Sequence, residues 1–297
     1  MTKSESTRRK SYGPKFLVIG PHKTGTTWLF HQLQLQEAIQ TTPFKEYHYL
    51  SRIPGAMEIS PSKSFFEWAN NTITARKKLF YQGKTKMGIR EALVYFYQKP
   101  SIKRYANIFP KHQNKIVGEV APETYMIQEK TIRELYHYYP SLKIIIGLRN
   151  PIWSDASLAQ MINRLAATST EYSQNKNQDK SLPKAVKSMV LSMNTLLDHH
   201  LEKWLSIFPE NQVHAYDFTM IADNPNTLLN ELSFFLDVDF SNRSELQTKV
   251  NTFAYSTIHN DFKNQLIEKH RNSVEKLIQQ GILPNHSALF TSWLEEM

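Results

Sequence analysis

A chain of 297 residues that is 40% hydrophobic has enough apolar mass for a sizeable core, which excludes a largely disordered protein. The absence of cysteine excludes a disulfide frame, a thiolate nucleophile and a Cys-ligated zinc, and suits a reducing compartment. The 36 Lys and Arg against 27 Asp and Glu leave +9, which favours an anionic partner: a nucleotide, an acidic glycan, nucleic acid or an acidic membrane surface.

In chain order, residues 1–14 read as a disordered tail with the basic triplet Arg8-Arg9-Lys10. The apolar run after it, Phe16 to Ile19, is too short for a signal-peptide core, and no other run approaches the roughly 18 apolar residues of a membrane span. The expectation is a cytoplasmic protein with no transmembrane segment, folded as one domain over residues 15–297. Short apolar runs predict strands at 16–19, 115–119, 143–148 and 212–216. Helical spacing lies between and after them, at Leu29 and Leu33, at Leu158, Ile162 and Leu165, and at Leu228, Leu232, Phe235 and Leu236. The alternation predicts an α/β fold with a central parallel sheet of P-loop type, flanked by helices and binding its ligand at the carboxyl ends of the strands. Residues 51–114 exceed what one crossover helix requires and read as a helical lobe beside the site. The polar stretch 168–182 reads as a connection, and the pattern from Glu268 to Gln280 as a last helix.

Two motifs sit where the predicted strands end. After the first, Gly20-Pro-His22-Lys23-Thr24-Gly25-Thr26-Thr27 has the glycine spacing of a Walker-type loop, but its lysine lies inside the loop and two threonines stand where Lys-Ser/Thr should follow. Backbone N–H groups at the opening of a helix, with the helix dipole behind them, hold a phosphate, and Lys23 adds a charge beside it. After the third, Leu148-Arg149-Asn-Pro151 ends a strand with a planar fork of donors suited to phosphate, and Ser157 adds a hydroxyl from the following helix. Two anion sites on neighbouring strands imply one ligand with two separate phosphate groups.

These two motifs, in this order and with the arginine and serine eight residues apart, closely resemble the sulfotransferase family that uses 3′-phosphoadenosine 5′-phosphosulfate (PAPS). The resemblance covers roughly residues 15–240 and implies a 5′-phosphosulfate loop formed by His22, Lys23, Thr24, Gly25, Thr26 and Thr27, with Arg149 and Ser157 at the 3′-phosphate. Pro43-Phe-Lys45-Glu46-Tyr-His48 is similar to a segment of the branch of the family that sulfates glycans, in which the glutamate is the catalytic base. Gly118-Glu119-Val-Ala-Pro122 resembles another segment of that branch. Two positions depart from it: Val120 stands where many members carry a lysine, and Ser154 where an arginine often follows the proline.

The resemblance implies transfer of the sulfuryl group from PAPS to an acceptor hydroxyl, of a glycan or glycolipid, by in-line displacement and without a metal. Lys23 would stabilise the leaving phosphate and Glu46 would take the acceptor proton. On an extended segment the i, i+2 spacing of Glu46 and His48 puts both on one face, so His48 would orient the acceptor or serve as base. His199-His200 reads as helix surface. His259, Asn260 and Lys263 stand where many members close the 3′-phosphate site with a glycine-rich basic loop that this chain lacks. Aromatic residues such as Trp68, Tyr81, Tyr95 and Tyr97 are of a type that stacks on sugar rings, although at helical spacing such residues more often belong to a core. Two other readings remain: a P-loop kinase using ATP, against which the missing lysine after Gly25 and the absence of a Walker-B aspartate count, and a noncatalytic module that binds polyanions.

Overall fold

The computed structural model of the chain describes residues 13–58, 63–110, 114–167, 182–244, 246 and 258–297. Strand β1 (Phe16–Ile19) runs through a loop into α1 (Thr26–Gln34), and β2 (Ile39–Thr41) follows. Helices α2 (Lys63–Tyr81), α3 (Ile89–Tyr97) and α4 (Ile102–Tyr105) precede β3 (Ile116–Val120), and α5 (Glu129–Tyr138) precedes β4 (Lys143–Leu148). Then come α6 (Pro151–Ala167), α7 (Lys184–Ser192) and α8 (Leu197–Leu205) before β5 (Val213–Asp217). After it lie α9 (Met220–Asp223), α10 (Pro225–Leu236), α11 (Asn260–Gln279) and α12 (Ser287–Glu295).

The five strands form one parallel sheet in the order β2-β3-β1-β4-β5, with Val18 of β1 in register with Val120 on one side and Ile145 on the other. Helical crossovers cover both faces, which is why the strands are apolar runs rather than alternating ones. Along β1, Leu17 and Ile19 face one core with Ile132 and Leu135 of α5, Trp204 of α8 and Leu277 of α11. Phe16 and Val18 face the other, with Leu29 and Leu33 of α1 and Leu228 and Leu232 of α10.

The four expected strands form within one residue of their predicted ends. β2 was not expected, because three residues carry too little pattern to register; pairing of Ile39 with Ile116 makes it a strand. The tail at 1–12 and the polar stretch at 168–181 lie outside the described residues. Among the described residues, no helix is long and apolar enough to cross a membrane.

Candidate active site

The loop after β1 is built on close backbone approach. Gly20 has φ +143°, and a Cβ there would come within 2.6 Å of the Gly147 carbonyl oxygen on β4. Gly25, at φ +78°, is the N-cap of α1, where a Cβ would meet Ile221 and Phe218. Between them Lys23 holds φ +67° without being a glycine. Such a backbone costs on the order of 1 kcal/mol and persists where surrounding contacts impose it.

Those contacts come from the turn after β4, from α6 and from β5. Ser154 Oγ donates to the His22 carbonyl at 2.5 Å, Arg149 Nη1 to that of Lys23 at 2.7 Å, and Tyr216 Oη to that of Thr24 at 3.0 Å. Thr24 Oγ1 donates back to Pro21. With these carbonyl oxygens engaged by the protein, they do not compete with an anion for the loop. At α1, whose first residues are Thr26 and Thr27, no side chain caps the N-terminus and no acidic residue occupies the first turn, so its dipole is unopposed.

Arg149, 6% exposed, stacks 4.4 Å over the Phe218 ring, and burial pushes its guanidinium down to about 10, which leaves it charged at neutral pH. The Lys23 ammonium is lowered from its ordinary value by burial, with Arg149, Arg164 and Lys45 adding repulsion and Glu46 opposing them. Burial likewise lowers His22. Ser157 lies half-buried on α6, downstream of the Arg149 turn. A small pocket, about 10 Å³, is lined by Gly20, Pro21, His22, Tyr125, Met126 and Thr195. A buried guanidinium at the end of β4, a lysine in the adjoining loop and an uncapped helix N-terminus fit a ligand carrying two phosphate groups.

The segment after β2 delivers the acidic side of the site. Its backbone follows β3, with Thr42 N–H donating to Gly118 O and Glu46 N–H to Val120 O at 3.0 Å. The expectation of an extended segment is corrected here: Glu46 and His48 both stand at φ +56°, in the left-handed region, so the chain turns at each of them rather than alternating along a strand. Glu46 is ion-paired with Lys45. His48 donates from Nδ1 to Glu123 Oε1 at 2.9 Å, and both side chains are buried. Burial alone pulls the imidazole down, but the charge and hydrogen bond of Glu123 outweigh it, and His48 is raised above its ordinary value. Burial pushes the neighbouring Glu119, which accepts from Tyr105 Oη at 2.5 Å, up to about 7.

Sequence reasoning missed Glu123, Tyr216 and Phe218. Glu123 adjoins the recognised Gly118 to Pro122 segment, and only its position beyond Pro122 marks it. Ser154, noted as a departure from the family pattern, holds the His22 carbonyl instead. His200 is a further correction: it is not helix surface but 1% exposed, accepting at Nδ1 from Lys203, whose ammonium also pairs with Glu58. Glu58, His199 and His200 have ligand atoms within 4.8 Å of one another. The Lys203 ammonium already supplies a positive charge to that cluster. In the C-terminal third, His259 stands just before α11, whose first residue is Asn260, and makes no side-chain capping bond, while Lys263 lies over the Trp153 ring at 5.8 Å.

A parallel sheet with an anion loop after its central strand and a second cationic group on the adjacent strand defines a nucleotide-binding α/β protein of P-loop type. The family model described as "Sulfotransferase domain" matches residues 13–296, and the chain belongs to that family, the PAPS-dependent sulfotransferases. This replaces the kinase and binding-module readings. The chain is 24% identical over 304 residues to a bifunctional heparan sulfate N-deacetylase/N-sulfotransferase of Drosophila melanogaster, covering 93% of this chain and 25% of that protein. It is 26% identical over 230 residues to the corresponding enzyme 3 of Homo sapiens, covering 76% and 22%. The chain thus spans about a quarter of the length of these curated relatives. Among solved structures, a sulfotransferase from Alicyclobacillus acidocaldarius matches with TM-score 0.60 at 19% identity, covering 90% of this chain and 95% of that one, which supports the shared fold.

Proposed function

We propose that this chain transfers the sulfuryl group of PAPS to a hydroxyl of a glycan or glycolipid acceptor, in the cytoplasm as its lack of cysteine favours. Bound PAPS supplies the group to be transferred. A bond forms between the acceptor oxygen and sulfur while the bond from sulfur to the 5′-phosphate oxygen breaks, leaving adenosine 3′,5′-bisphosphate. Lys23 and the loop from His22 to Thr27 hold the 5′ end, where negative charge develops on the leaving oxygen, and Arg149 with Ser157 holds the 3′-phosphate. Glu46 takes the acceptor proton. His48, whose pairing with Glu123 favours the imidazolium, orients the acceptor rather than serving as base.

The observation that carries this reading is the shared backbone state of Lys23, Glu46 and His48. They are three of the five described non-glycine residues in the left-handed region; Lys23 follows β1, and the segment of Glu46 and His48 is held beside the end of β3 through Val120 and Glu123. Strain of this kind clusters at functional sites.

The test is a transfer assay with labelled PAPS on glycan and glycolipid acceptors, paired with thermal shift by adenosine 3′,5′-bisphosphate. Glu46→Gln is expected to lose at least about a hundredfold in kcat with the thermal shift retained. Unchanged turnover would move the base elsewhere. A second reading, an amine acceptor, is favoured by the N-sulfotransferase activity in the relatives' names; transfer to free glucosamine amines but to no hydroxyl acceptor would establish it in place of the first.

A further inference from the structure

Residues 71–110 carry nine Lys and Arg, namely Arg76, Lys77, Lys78, Lys84, Lys86, Arg90, Lys99, Lys103 and Arg104, against a single acidic residue, Glu91. Eight of the chain's nine net positive charges therefore reside in 40 residues. Glu91 does not offset them at the surface, since it is buried against Gly88. Seven of the nine cations are exposed, and Arg76 and Lys77 are half-buried.

The same lobe exposes apolar side chains. On α3, Ala92, Val94 and Tyr95 are buried, while Ile89 is 75% exposed, Leu93 52% and Tyr97 55%. Their i, i+4, i+8 spacing places the three exposed residues in one stripe along the helix. Tyr81 at the end of α2 extends that stripe, its hydroxyl hydrogen-bonded to that of Tyr97, and Lys77 Nζ sits 4.2 Å over the Tyr97 ring. Leu79, Tyr81, Ile89, Leu93 and Tyr97 make five of the eight large hydrophobic residues exposed among the described ones.

A solvated charged surface needs no apolar stripe, and a site for a soluble polyanion needs no exposed isoleucine and leucine. An interfacial helix needs both features: apolar side chains that enter the boundary of the acyl chains, and a surrounding set of Lys and Arg that meets anionic headgroups. Tyrosines at the edge suit the headgroup level. We infer that the α2–α3 lobe is a peripheral docking surface for an anionic lipid bilayer, with Ile89, Leu93, Tyr97 and Tyr81 entering the interface and Lys77, beside Tyr97, and the lobe's exposed lysines and arginines on the headgroups. The lobe is fastened to the candidate catalytic segment. Arg76 Nη2 donates to the Lys45 carbonyl at 2.9 Å, and Tyr95 Oη to the Tyr47 carbonyl at 2.8 Å. Docking therefore fixes where Glu46 stands relative to the membrane, whatever group the site transfers.

The experiment is co-sedimentation of the full chain with phosphatidylcholine vesicles, with and without phosphatidylserine, in the absence of PAPS. Binding is expected only with phosphatidylserine and weakens as salt rises. The double variants Ile89→Glu/Leu93→Glu, which removes the inserting apolar side chains, and Lys84→Glu/Arg90→Glu, which reverses two charges facing the headgroups, each lower the partition coefficient at least about tenfold. Lys23→Ala binds like the parent, so loss of transfer and loss of docking are separable. On the unaltered chain, amide exchange in residues 71–110 slows when these vesicles are added.

Sedimentation that is equal on neutral vesicles, or unchanged by both double variants, overturns the proposal. So does binding to soluble heparin that survives Ile89→Glu/Leu93→Glu while vesicles are not bound, because the face is then a polyanion site. A dimer in solution that Leu93→Glu dissociates, again without vesicle binding, overturns it in favour of an interface between copies.

Discussion

Arg149 Nη1 donates to the carbonyl oxygen of Lys23 at 2.7 Å, joining the end of β4 to the loop that leaves β1. One guanidinium thus holds the backbone at a lysine with positive φ while it stacks over the Phe218 ring. A hydrogen bond from a charged group to a buried carbonyl is worth about 1.5–3 kcal/mol.

Arg149→Ala is therefore expected to weaken adenosine 3′,5′-bisphosphate about tenfold to a hundredfold and to lower the melting temperature of the free protein. Arg149→Lys keeps the charge but not the fork, and recovers only part of either loss. Calorimetric titration of both variants checks this; an affinity equal to the parent's in Arg149→Ala would remove Arg149 from the nucleotide site.

The two glycines of the loop differ in what a methyl group would meet. At Gly20 it is the backbone oxygen of Gly147 at 2.6 Å, which cannot move without separating β1 from β4. At Gly25 the nearest atom is the Cδ1 of Ile221, the mobile end of a side chain. Gly25→Ala is expected to cost about 1–2 kcal/mol, mostly from its left-handed backbone, and Gly20→Ala distinctly more. Chemical denaturation of both proteins gives the order, and equal costs would contradict the close approach of the two strands.

The His48–Glu123 pair has a pH window. His48 is raised, so the stability it contributes is fully present below its ordinary value of 6.5 and is lost as pH rises through the raised value. Glu123 is lowered: burial alone would raise it, but His48 outweighs burial, so its contribution is present above 4.5 and is lost as pH falls through the lowered value. Glu123→Gln should accordingly destabilise most near about pH 5–6 and cost little at alkaline pH, with the His48 titration moved downward. Melting curves across pH, and imidazole titration by NMR, read both effects.

Glu119 runs the other way. Its carboxyl is pushed up to about 7 by burial, so the native state favours the protonated acid, and stability falls as pH rises from 4.5 towards that value. The span corresponds to about 3 kcal/mol on an order-of-magnitude basis. Glu119→Gln leaves an oxygen for the Tyr105 hydroxyl and removes the ionisation, so it should raise the melting temperature at about pH 8 and leave it nearly unchanged at about pH 4. A parent whose stability does not fall between those pH values would contradict a raised Glu119.

The sequence by itself determined the parallel α/β architecture, the strand-to-helix loop at Gly20 to Thr27 and the turn at Arg149 that follows β4. Apolar runs, helical spacing and turn residues act over a few positions, so chain order preserves them. The charge of the 71–110 lobe is equally legible. Only the tertiary structure decided which distant groups meet: His48 finds Glu123 75 residues away, and Arg149 reaches Lys23 across 126. The physical reason is the strand order β2-β3-β1-β4-β5, which places three strand ends that are far apart in sequence side by side. The same packing turns the backbone at Glu46 and His48 into a state that residue type alone disfavours, and it ties the basic lobe to the Lys45–His48 segment through Arg76.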